Sequence, residues 1–303
     1  MFAADFDYYR ADSVAAAGRL LAEHPGAKLL AGGHSLIPLL KLRLSAPAAV
    51  IDIGRIAELR GISVDGGTLR IGALTTHAEI AASADVQRHA RALAEAAGQI
   101  GDPAVRNRGT IGGNIAHADP ASDLPTVLQA LGATLDIAGP HGERPVGIDG
   151  FFQGVMTTAL AADDLLTAIR IPTAGQSQGS AYVKFPHPAS RYAVIGVAAS
   201  LTSGTGGGWR TVLTPGASRE TVCSNASVAI GGLVPAPARC GAVEQALAGK
   251  PLSDETFAEA AAAVGGDLGD DLLGDVFASG EYRKAVAPVY VRRALAAAAS
   301  RVG

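Results

Sequence analysis

The chain has 303 residues, 48% of them apolar and 17% charged, enough for two packed cores and slightly more than one domain comfortably uses. Lys and Arg number 25 against 28 Asp and Glu; a net charge of −3, with the basic residues scattered, gives no electrostatic reason to expect nucleic acid or anionic lipid as a partner. Two cysteines, Cys223 and Cys240, are too few for a thiolate-ligated iron–sulfur cluster or a finger-type zinc site, and read as buried apolar residues of a reducing compartment.

The first residues carry Asp5 and Asp7 and no apolar h-region, so no secretory signal is expected. Stretches such as Ala193–Leu201 and Ala294–Ala299 are too short for a membrane span, and the chain reads as cytoplasmic. Val14, Ala17, Leu20 and Leu21 form a helical stripe over 13–24, capped by Asp12 or Ser13 and stopped by Pro25-Gly26. A short strand over 28–31 runs into Gly32-Gly33, and Ser35 is a candidate cap for a helix over 36–44, with Pro38 tolerated in its first turn. A buried strand over 49–53 follows, then a hairpin of 62–64 and 69–71 closed around Asp65-Gly66-Gly67.

Thr75 or Thr76 caps a short helix through Ala82, and 86–97 reads as one longer amphipathic helix. The stretch 98–113 reads as a glycine-interrupted loop, 123–131 as helix, and 134–137 and 166–171 as strands. Thr173–Gly179, small and polar, is the expected linker. Beyond it come β-type runs at 181–185, 193–202 and 227–231, then helical patterns at 238–248, 254–264 and 281–299. Strands followed by helices predict a small α+β unit with helices on one face of an antiparallel sheet.

Two glycine turns carry the chemistry. The first, Ala31-Gly32-Gly33-His34-Ser35-Leu36, lies where a strand gives way to a helix. Glycine there admits unusual backbone angles and lets an anion approach successive N–H groups without a Cβ in the way. An ordinary strand–turn–helix corner has the same pattern. The second, Thr110-Ile111-Gly112-Gly113-Asn114, combines a hydroxyl, a glycine pair and an amide, and a plain polar loop fits it equally. Asp123 follows and is placed either to cap the next helix or to accept from cofactor hydroxyls. No G-x-G-x-x-G follows a strand, and P-loop, G-x-S-x-G and H-E-x-x-H motifs are absent. His34, His77, His117 and His187 have no ligand-pair spacing, so no metal site is expected, and no general acid or base is named.

AGGHS at 31–35, TIGGN at 110–114 and ASDLP at 121–125 together resemble the FAD-binding medium subunits of the molybdenum hydroxylases, the carbon monoxide and xanthine dehydrogenase family. The likeness continues through LLTAIRIP at 165–172, YVKFPHPASRYAVIGVAA at 182–199 and EYRKAVAPVYVRRAL at 281–295, covering essentially the whole chain. It implies an α+β fold of the vanillyl-alcohol-oxidase-like (PCMH) type: an FAD-binding domain over 1–175, in two subdomains of about 1–55 and 56–175, and a smaller C-terminal antiparallel-sheet-and-helix domain over 179–303. It implies non-covalent FAD, contacted by Ala31, Gly32, Gly33, His34, Ser35 and Leu36, by Thr110, Ile111, Gly112, Gly113 and Asn114, and by Asp123, Leu166 and Lys184. Lys184 then serves either as a structural lysine or as a cation favouring reduced, anionic flavin. Partner subunits are implied, a large one with a molybdenum–pterin cofactor and a small one with two [2Fe–2S] clusters, as a dimer of heterotrimers. The chain lacks the cysteine-rich insertion of the 4-hydroxybenzoyl-CoA reductase branch. Its stretch over 185–192 departs from the xanthine dehydrogenase segment near the flavin, leaving the electron acceptor open. The alternatives are a self-contained FAD oxidase or reductase of the same fold and a flavin-binding regulatory protein.

Overall fold

The computed structural model describes residues 2–205 and 221–303. It opens with β1 (Asp7–Arg10), α1 (Val14–Glu23), β2 (Lys28–Leu30), α2 (Leu36–Lys41) and β3 (Ala49–Asp52). The three strands form a parallel sheet in the order β1-β3-β2. Of the two candidate caps for α1, Ser13 does the capping, its hydroxyl accepting from the Ala16 N–H at 3.2 Å. Ser35 does not cap α2: its own backbone is already helical (φ −97°, ψ −49°) and its hydroxyl accepts nothing. The Ile37 N–H donates to the Gly33 carbonyl at 3.0 Å, so the helical turn begins two residues earlier than Ser35.

The next segment supplies β4 (Ile62–Asp65), β5 (Thr68–Gly72), α3 (His77–Ala82), α4 (Ala84–His89), α5 (Arg91–Gln99), α6 (Pro103–Arg106), α7 (Ile111–His117), α8 (Asp123–Ala130), β6 (Thr134–Gly139), β7 (Gly142–Gly147), β8 (Phe152–Gly154), β9 (Thr157–Thr158) and β10 (Leu165–Pro172). Its main sheet is antiparallel, ordered β4-β5-β10-β6-β7. The first hairpin turns on Gly66 and Gly67, both at positive φ, as a two-residue turn requires. Thr76, not Thr75, caps α3, through a capping box with Glu79.

The helix expected over 86–97 is two helices, broken at Ala90 (φ −147°, ψ 56°). Ala90 is buried, and the Ala92 N–H just beyond the break donates to the Ser180 hydroxyl, so a tertiary bond replaces helical continuity. The expected loop over 98–113 is also largely helical. Asp102 caps α6, and Thr110 caps α7 by accepting from Gly113. TIGGN is therefore a helix N-terminus. Its glycines cost helix propensity, about 1 kcal/mol each, but a Cβ on Gly112 would lie 2.5 Å from Ala73 Cβ, so only glycine lets α7 settle on the end of β5.

The last segment contains β11 (Gln178–Pro186), β12 (Ala193–Thr205), β13 (Thr221–Gly231), β14 (Ala238–Arg239), α9 (Gly241–Leu247), α10 (Asp254–Ala262) and α11 (Gly280–Ala299). The four strands form an antiparallel sheet in chain order. Helices cover both faces rather than one. Ala181, Val197, Ala199, Leu201, Val228 and Ile230 pack into the core shared with α9–α11. The alternate residues Tyr182, Ala198 and Ala229 join the core of α5 and α8. Two buried faces explain why these strands read as continuous apolar runs. The helix expected from Ala238 begins only at Gly241, because Ala238 and Arg239 pair with β13. No helix among the described residues is long and apolar enough to cross a membrane.

Candidate cofactor site

The first glycine turn spans the gap between β2 and α2. Gly33 has φ +80°, a conformation side chains with a Cβ rarely take. Among the described residues, the backbone N–H groups of Gly32, Gly33, His34, Ser35 and Leu36 donate to nothing. Five successive free donors at a turn make a nest for an anion. The second turn is different. The N–H of Ile111 donates to Thr75, that of Gly112 to Ala73, and those of Gly113 and Asn114 to Thr110. Its amides hold α7 in place, and what it brings to the site is side chains, the Thr110 hydroxyl and the Asn114 amide. The first turn abuts the segment leading into the second: a Cβ on Gly32 would lie 2.8 Å from the Arg108 carbonyl carbon and closer still to its oxygen.

Around them opens a cleft of about 720 Å³, within the range of small-molecule and cofactor pockets. Ala31, Gly32, Gly33, His34, Ser35 and Leu36 all line it, as do Thr110, Gly112, Gly113, Asn114, Asp123 and Leu166. Ile111 and Lys184 do not. Ile111 is fully buried in the core beneath the second turn. Lys184 sits behind Asp123, its Nζ 2.8 Å from Asp123 Oδ2 with both side chains buried. Asp123 is not the cap of α8 but its first residue, after Ser122. Its other oxygen accepts from the Tyr182 hydroxyl at 2.5 Å. Burial pushes the Asp123 carboxyl up, while Lys184 and Tyr182 pull it back; burial beside that carboxylate pushes the Tyr182 phenol well up.

Long-range folding brings further groups to the cleft. Ser122 donates to Asn114 Oδ1 at 2.8 Å. Asp164 is held by Arg144 at 2.9 and 2.6 Å, and that pairing lowers its pKa. The turn between β11 and β12 sets Ser190, Arg191 and Tyr192 at the cleft. His34, His77 and His117 all line it too, whereas His187 accepts from the Ala189 N–H within that turn. His77 is buried and pushed down to about 4, chiefly by burial and then by His34, so it is neutral at neutral pH, and its Nδ1 has no partner among the described residues. Among the described residues no three His, Cys, Asp or Glu side chains converge as a metal site.

Five free amides, the Thr110 hydroxyl, the Asn114 amide and the apolar side chains of Leu36 and Leu166 thus border one cleft. Residues 4–174 match the model described as the FAD-binding domain in molybdopterin dehydrogenase, and residues 180–298 that of the CO dehydrogenase flavoprotein C-terminal domain. The chain belongs to the FAD-binding medium subunits of the molybdenum hydroxylase family. It is 39% identical over 300 residues to the carbon monoxide dehydrogenase medium chain of Hydrogenophaga pseudoflava, covering 98% of both chains. It is 35% identical to the xanthine dehydrogenase FAD-binding subunit of Escherichia coli O157:H7, covering 82% of both. Among solved structures, a carbon monoxide dehydrogenase chain from Hydrogenophaga pseudoflava superposes with a TM-score of 0.91 at 38% identity, with 100% of both chains covered. A chain of quinoline 2-oxidoreductase from Pseudomonas putida 86 gives 0.87 at 29%, covering 99% of both.

Proposed function

We propose that this chain is the electron-exit subunit of a cytoplasmic molybdenum hydroxylase, assembled with a large molybdenum-cofactor subunit and a small [2Fe–2S] subunit as a dimer of heterotrimers. Its medium-chain relatives support the subunit role. The observation that carries the binding mode is the row of five free amides from Gly32 to Leu36, in residues that line the cleft. These hold the pyrophosphate, helped by the Thr110 hydroxyl; the Asn114 amide donates to, and the Asp123 carboxylate accepts from, sugar and ribityl groups; Leu166 packs against the ring system. Residues 1–175 form the clasp, and 179–303 brace it. Bound FAD supplies reversible two-electron chemistry between the partner's clusters and an external acceptor. The protein contributes placement, exclusion of water and fixed charges. Lys184 acts through Asp123, since its ammonium is already paired there.

The isolated chain should carry about one FAD, released by mild acid and eluting as FAD on chromatography, not as FMN. It should not be bleached by aldehydes, N-heterocycles or carbon monoxide, yet after dithionite reduction should reoxidise with an artificial acceptor. Addition of the partner subunits should restore bleaching by substrate. Flavin that stays with acid-precipitated protein refutes the non-covalent mode; substrate bleaching of the lone chain at a turnover-competent rate establishes a self-contained oxidoreductase instead.

A further inference from the structure

We propose that Tyr182 is a positioning residue of the flavin site, its hydroxyl fixing the orientation and charge of the Asp123 carboxylate. The inference rests on Asp123 being a flavin contact.

Tyr182 and Lys184 stand two apart on β11, so both project from one face of the strand, toward α8. Each takes one oxygen of Asp123: Tyr182 donates to Oδ1 at 2.5 Å and Lys184 to Oδ2 at 2.8 Å. The carboxylate is thereby held in one plane, and its remaining lone pairs are left for the cleft it lines. A lysine alone fixes one oxygen and lets the group turn about that contact.

The backbone beside the phenol is shaped for it. Gly196 of β12 pairs in register with Lys184, and a Cβ there would strike the Tyr182 hydroxyl and lie 3.2 Å from its Cζ. The Tyr182 N–H donates to Glu95 of α5, and the ring packs in the core of α5 and α8. Phenylalanine would fill the same volume, so packing does not account for the hydroxyl. Its account is the charge. The groups facing Asp123 are Lys184 and Tyr182 from β11 and Arg191 from the following turn, with Tyr192 of that turn and Asp119 of the α7–α8 loop close by. Removing the hydroxyl leaves a buried carboxylate oxygen without its donor, which favours the protonated acid.

The test uses the full chain, with FAD dissociation constants measured by flavin fluorescence from pH 5 to 9 and thermal melting of each apoprotein. Tyr182→Phe should weaken FAD about tenfold at pH 8 and move the acid limb of the binding profile to higher pH. Replacement of Tyr182 by 3,5-difluorotyrosine, whose phenol is a stronger donor, should move that limb the opposite way. Gly196→Ala, which displaces the phenol, should follow Tyr182→Phe. Asp123→Asn should bind weakly with no acid limb. A Tyr182→Phe chain with wild-type affinity and limb overturns the proposal, as does a loss of apoprotein melting temperature with the limb unmoved. If Tyr182→Phe does not fold, an unmoved limb in the fluorotyrosine protein overturns it equally. Wild-type binding by Asp123→Asn instead removes Asp123 from the flavin site, a failure of the underlying reading.

Discussion

Gly32→Ala puts a single methyl group where the first glycine turn abuts the segment leading into the second. The added Cβ would lie 2.8 Å from the Arg108 carbonyl carbon and 3.1 Å from Gly109 Cα, both backbone atoms, where ordinary contact begins at 3.4 Å. The two segments must part by at least the 0.6 Å that separates 2.8 from 3.4 Å, and by more to clear the carbonyl oxygen. Amide-to-phosphate bonds of about 2.9 Å would then stretch to roughly 3.5 Å or beyond, past useful length. Losing two such charge-assisted bonds at about 1.5 kcal/mol each weakens FAD by about 3 kcal/mol, roughly 150-fold. Overpacking itself should cost the apoprotein only about 1–3 kcal/mol. Fluorescence titration of apoprotein with FAD, alongside melting of the same sample, separates the two effects. Gly18→Ala is the control, since nothing lies within 4 Å of a Cβ in that α1 position, and it should bind FAD normally while gaining about 0.5–1 kcal/mol of stability. A Gly32→Ala chain that folds and binds FAD as tightly as the control would refute the contact-driven geometry.

His77 predicts acid sensitivity. In the unfolded chain it takes a proton near 6.5, while in the folded chain burial holds it unprotonated to about 4, so its contribution is fully present above 6.5 and lost as pH falls from 6.5 through 4. That gap is worth about 3 kcal/mol at most, and His77→Leu should flatten the apoprotein's urea midpoint over this range relative to wild type; parallel pH profiles would contradict it. Arg283 is buried and donates to the carbonyls of Ala278 and Gly232 and to Asp275. Asp275 stays partly solvated, so Arg283→Leu chiefly strands the two carbonyls and should cost about 2–4 kcal/mol, read as a drop in urea midpoint, and a near-wild-type midpoint would show these bonds to be dispensable.

Local signals in this chain were legible where they act over a few residues. Ser13 with Pro25-Gly26 bounds α1, Gly66-Gly67 closes the first hairpin, and the residues of both glycine turns except Ile111 line one cleft. The loop expected over 98–113 gives way to helix at the second turn, where glycine pairs argue against helix; the reason for them, the approach of Ala73, lies 39 positions away in sequence. The same holds for the break at Ala90, whose compensating acceptor is Ser180, and for Asp123, whose partners Tyr182 and Lys184 belong to another sheet. Strands β7 to β9 went unread since they are largely polar and exposed, without the alternation that marks a half-buried strand. His77 and Asp164 reach the cleft only through the fold.

The β11–β14 sheet, covered on both faces, bears on how chains of this kind recombine. A crossover at residues 173–177 cuts the polypeptide where it is cheapest to join, yet in space it runs through the shared core of Tyr182, Ala198 and Ala229 with α5 and α8. A chimera taking residues 1–175 from one relative and the remainder from another inherits one wall from each parent. Its Ala92 and Glu95 must meet a foreign Ser180, Tyr182 and Arg301, and its Asp123 must accept foreign donors. Exchange of the C-terminal half is therefore expected to need the faces of α5 and α8 that pack on this sheet to travel with it, although the chain between the two halves is only a short tether.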